Sequence, residues 1–136
     1  MYTNDREAYR KAYCEVWQKH LAGTALSMLE KQLLAVMLEH PEYQRFFEKP
    51  APLNQEFVFE ENPFMHMSLH LGIREQIELD RPPGMRQAWQ RLIAEKRPAH
   101  EIEHAMMTCL AKTIWEMQQT GEMPDEAEYV KQLLAL

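Results

Sequence analysis

Residues 62–79 read NPFMHMSLHLGIREQIEL. Asn62 is a capping residue, and Pro63 suits the first helical position, where a missing N–H leaves nothing unpaired. Leu69, Ile73 and Ile77 then recur at helical spacing. At about 100° per residue, His66 and His70 fall within the same stripe. Glu75, Gln76 and Asp80 occupy the other faces. This stretch reads as an amphipathic helix running to about Leu79, with two imidazoles on its inner side.

The chain on either side repeats the helical pattern. Tyr9, Ala12, Tyr13, Val16, Trp17 and His20 form a stripe over about Asp5–His20. Ala22-Gly23-Thr24 interrupts it, and Thr24 can cap a second helix from about Ala25 to His40, ended by Pro41. Residues 41–62 are irregular. Lys49-Pro50-Ala51-Pro52 is expected to be extended or turning, and Phe57-Val58-Phe59 to be an apolar loop, because one strand makes no sheet. Asp80-Arg81-Pro82-Pro83-Gly84 is a rigid connector to a shorter helix at about Met85–Lys96. Pro98 opens the longest helix, which ends at Gly121, and a last short helix follows Pro124. The expectation is all-α: one domain over 1–136, a compact bundle of four main helices with one or two short extra ones.

Composition agrees. A chain of 136 residues with 46% hydrophobic and 26% charged residues can build a single core. Only four glycines and few β-branched residues favour helix, and ten methionines suggest an adaptable core or an oily interface. The net charge of −6 argues against nucleic-acid binding, which relies on clustered Lys and Arg. No stretch approaches the roughly 18 apolar residues of a membrane span. The opening MYTNDREAYRKAYCEVW lacks the apolar run of a signal peptide. Cys14 and Cys109 read as thiols in a reducing compartment, so a cytoplasmic protein is expected.

The histidines carry the chemistry. His66 and His70 form one H-x-x-x-H pair, and His100 and His104 form a second on the 98–120 helix. Four-residue spacing stacks two side chains on one helix face. There the apolar stripe is Ile102, Met106, Leu110, Ile114 and Met117. Glu103 projects near its centre, and His100, His104 and Met107 lie along one border. A carboxylate on an apolar stripe is unusual unless paired or metal-bound. His66, His70, His100 and His104, with Glu103 as ligand or orienting partner, suit one divalent transition metal: zinc, iron, manganese or nickel. Arg74, one turn beyond His70, could pair with Glu103 or Glu30, or hold an anion.

Other readings remain open. The histidines could form a buried hydrogen-bond network with Ser68, Glu103 and tyrosine hydroxyls. In that case the protein is a non-enzymatic structural or interaction module, with a Met- and aromatic-rich face for a partner or a second copy. His100-Glu101-x-x-His104 matches H-E-x-x-H literally, so a metal-dependent hydrolase is a minor alternative, although Glu101 falls on the solvated side. Glu101-x-x-His104 is also the ferritin-like spacing, but no second copy exists. Met65, Met67, Met106, Met107 and Cys109 read as core. His20 and His40 lie at helix C-termini, where the dipole suffices to explain a histidine. No G-x-S-x-G, P-loop or dinucleotide fingerprint is present.

Asn62-Pro63-Phe64-x-His66-x-Ser68-x-His70, Ile73-x-Glu75-Gln76 and Asp80-Arg81-Pro82-Pro83-Gly84 together resemble a bacterial family catalogued as domain of unknown function 1841. Cys14-Glu15-x-Trp17-x-Lys19 and His40-Pro41-Glu42-Tyr43 extend the resemblance upstream. His104-x-Met106-Met107-x-Cys109-Leu110 and Pro124-Asp125 extend it downstream. The resemblance implies a small soluble bacterial protein. It brings no activity, so it assigns no catalytic residue.

Overall fold

A computed structural model describes residues 6–48 and 62–136. Every regular element among them is helical: α1 (Arg6–Ala22), α2 (Met28–Leu38), α3 (Arg45–Glu48), α4 (Pro63–Leu79), α5 (Met85–Ala94), α6 (Ala99–Thr120) and α7 (Glu126–Leu134). A 3₁₀ turn, Pro41–Tyr43, joins α2 to α3. The all-α expectation stands. The count differs from four main helices plus one or two, because the short α3 sits in a stretch with no apolar periodicity long enough to reveal it. The apolar loop expected at Phe57-Val58-Phe59 and the turn at Lys49–Pro52 lie outside the described residues. No described helix is long and apolar enough to cross a membrane.

The chain divides into two compact units, Met1–Ser68 and Leu69–Leu136. In the first, α1 packs on α2 and α3. Tyr13, Val16, Trp17, Leu33, Val36, Met37 and Phe47 are buried there, with Phe64 and Met67 from the start of α4. Arg10 is also buried, its guanidinium 5.3 Å from the Phe64 ring centre. The Tyr13 hydroxyl lies 2.9 Å from Ser68 Oγ, which donates to the Phe64 carbonyl at 2.6 Å. Burial pushes the Tyr13 hydroxyl well above the usual phenol range, so it stays protonated and can serve that bond.

α2 begins later than Thr24 implied. Ser27 accepts from Glu30 N–H at 3.2 Å, and Glu30 accepts from Ser27 N–H at 3.0 Å. This reciprocal capping box satisfies two end donors. It leaves Met28 and Leu29 exposed and moves the buried face to Leu33, Val36 and Met37. Glu30 also accepts from Lys19 Nζ at 2.6 Å, the main reason its carboxyl sits below the usual range. Its position near an apolar stripe is thereby explained.

In the second unit, α5, α6 and α7 pack on one another. Their buried residues include Met85, Ala88, Leu92, Ile102, Met106, Leu110, Tyr129 and Leu133. The buried face of α5 is Met85, Ala88 and Leu92, so Ile93 is left partly exposed. Asp80 shapes the connector by accepting from Gly84 N–H at 3.2 Å and Arg86 N–H at 3.1 Å. Arg86 in turn donates to the carbonyls of Ile77, at 3.0 Å, and Glu78. Gly84 has φ +107°, and a Cβ there would stand 2.9 Å from Val130 Cγ1. Asn62 caps α4 by accepting from Phe64 and Met65 N–H, each at 3.1 Å. α6 ends at Gly121, whose φ of +70° is the left-handed stop its sequence indicates.

Candidate metal centre

Two histidine clusters are built separately, one in each unit, and α4 contributes a residue to both. In the first unit, His40 follows the last turn of α2 and is buried. Its Nδ1 lies 2.8 Å from the Val36 carbonyl oxygen. A carbonyl only accepts, so Nδ1 carries the proton and Nε2 keeps the lone pair. The His40 ring stacks on Tyr43 at 5.3 Å and meets His66 edge-on at 5.0 Å. Tyr43 is 5.9 Å from the same His66 ring. Its phenol is pushed up by burial and then by Glu42, so it stays neutral.

In the second unit, His70 is fully buried on α4. Its Nδ1 lies 2.5 Å from Glu103 Oε1 on α6. Arg74 Nε donates to that same oxygen at 2.9 Å. Burial pushes the Glu103 carboxyl up, but the His70 bond and the Arg74 charge outweigh it and hold Glu103 below the usual range. Glu103 is therefore the acceptor and His70 Nδ1–H the donor, which turns Nε2 of the ring towards α6 as the atom a metal would take. His104 Nε2 approaches that atom to 3.2 Å.

This separation has chemical meaning. Two imidazole nitrogens at about 2.0–2.1 Å from one tetrahedral ion stand about 3.3 Å apart. The His70–His104 spacing equals that figure within ordinary variation. A carboxylate behind the first imidazole is the usual outer partner of a metal-bound histidine, fixing its tautomer and raising its basicity.

The residues singled out from sequence fall in distinct places. Glu103 is inward and buried, and Arg74 pairs with it. His70 is buried, while His66 and His104 are half-buried. His100 is exposed in the first turn of α6. Its ring packs edge-on against His104 at 4.2 Å and lies 4.9 Å from His70. Glu101, the would-be base of the H-E-x-x-H pattern, is exposed. Ser68 bonds Tyr13 and Phe64. Cys14 and Cys109 are free thiols, half-buried, and burial raises both. His20 is exposed beside Trp17.

Sequence reasoning undervalued His40. The helix dipole does favour it, and its bond to Val36 is the expected C-terminal contact. Burial beside His66 is the additional fact. The readable signal was His40-Pro41-Glu42-Tyr43, where a proline turns the chain straight after a histidine on the buried stripe.

The chain matches the family described as Domain of unknown function (DUF1841) over residues 5–135 and belongs to that family. No curated protein and no solved structure matches it.

Proposed function

We propose that this member of the DUF1841 family binds one divalent transition metal on the histidine face of α4. His70 and His104 are the central ligands. The observation that carries the reading is their Nε2–Nε2 separation of 3.2 Å, with Glu103 holding the far side of His70. His66 precedes His70 by one helical turn, a spacing that sets two side chains side by side. The donor pair built within the second unit is His70 and His104, both imidazole, with Glu103 and Arg74 behind it. Imidazole donors suit zinc, iron or nickel better than manganese, which prefers oxygen.

A second reading has specific support. The 3.2 Å contact also suits an N–H···N hydrogen bond from His104 to His70, which would satisfy the buried imidazole without a metal. The hydrolase alternative is weakened by the exposure of Glu101, because a general base must face the metal-bound water.

Elemental mass spectrometry on untagged protein, purified without chelator, separates the readings. The metal reading expects near-stoichiometric metal, native or after reconstitution, that is lost in a folded His66→Ala/His70→Ala variant. Protein that takes up no zinc, iron, nickel, manganese or copper refutes it and leaves the hydrogen-bond network.

A further inference from the structure

The three second-unit histidines form a gradient. His70 is fully buried, His104 is half-buried and His100 is exposed. Their rings are mutual neighbours: 4.9 Å for His70–His104, 4.9 Å for His70–His100 and 4.2 Å for His100–His104. His100 meets His104 ring edge to ring face at 63°, whereas His70 and His104 aim Nε2 at Nε2.

A hydrated ion cannot bond directly to an atom with no solvent contact. It must exchange water for protein donors one at a time, starting from one at the surface. We propose that His100 is the port for the metal: an exposed imidazole that captures the ion from solvent and passes it to His104 and His70. This rests on the metal reading of the same site and adds its route of loading. His100 is bonded to the ion only in transit, so it lowers the barrier in both directions and leaves the end states alone.

The proposal has a kinetic signature that a ligand lacks. Full-length apoprotein would be mixed with Co²⁺ in a stopped-flow spectrometer, following the visible absorption of the bound ion. Release would be followed by chase with excess Zn²⁺. In His100→Ala, loading and release should both slow by the same factor, about tenfold, the low end of what local concentration of an ion gives. The Kd should stay unchanged. His100→Glu, which also captures cations and suits the first turn of a helix, should restore both rates. Unchanged rates in His100→Ala would overturn the port while leaving the metal site intact. Faster release with a weakened Kd would overturn it by making His100 a resident ligand. Wild-type protein that takes up neither Co²⁺ nor Zn²⁺ would overturn the metal reading and the port with it.

Discussion

The two histidine clusters orient their rings by different means. In the first unit, the His40 tautomer is set by a backbone carbonyl, and its neighbours are aromatic. In the second, His70 is set by a carboxylate that also pairs with Arg74. A backbone acceptor is neutral and cannot be removed by substitution. A carboxylate carries charge, strengthens the ring it holds as a donor, and titrates. Metal affinity at the second cluster should therefore depend on that carboxylate, whereas the first cluster has no titrating partner behind its His40 ring.

The largest expected effect breaks that asymmetry directly. His70→Ala should abolish measurable Zn²⁺ uptake in calorimetry, whereas His40→Ala, which alters only the first cluster, should leave binding in place. Equal losses would show that the clusters are equivalent. Next, Glu103→Gln keeps the shape and removes the charge. It should weaken Zn²⁺ by about 10–100-fold, the usual cost of losing an outer partner.

In metal-free protein, Glu103→Ala leaves buried His70 Nδ1–H without its acceptor and should cost about 1–3 kcal/mol in urea denaturation. This contribution depends on pH in a determined direction. Glu103 is held below its unfolded value, so its contribution is complete above about pH 4.3 and lost as pH falls through the lower folded value. The stability gap between wild type and Glu103→Gln should narrow on acidification below about pH 4. The smallest effect belongs to the aromatic cluster. Tyr43→Phe keeps the 3° stack on His40 and should change stability by no more than about 0.5 kcal/mol.

Local signals along the chain were readable. Asn62-Pro63, Gly121 and the inward Glu103 all behave as their sequence context indicates. Ser27-x-x-Glu30 was readable too, as a capping box, and would have placed the start of α2 correctly and explained Glu30. What periodicity cannot supply is which helix end meets which face. His40 and His66 are 26 positions apart, and their closeness depends on the Pro41–Tyr43 turn and on packing within the first unit. His100 illustrates the converse. Its spacing from His104 is that of a ligand pair, but its place in the first turn of α6 leaves it at the surface. Spacing reports a shared face and says nothing about depth.

Gly84 has a stereochemical consequence. An L-alanine there meets two separate obstacles, the φ of +107° and the Val130 methyl at 2.9 Å. Shortening Val130 to alanine opens the space and leaves the backbone penalty untouched, so it should rescue Gly84→Ala only in part. A D-alanine introduced by chemical synthesis prefers positive φ and sets its methyl along the other α-hydrogen, away from the direction of that clash. Position 84 thus discriminates between mirror-image residues, and the two alanines should differ in stability although their composition is identical.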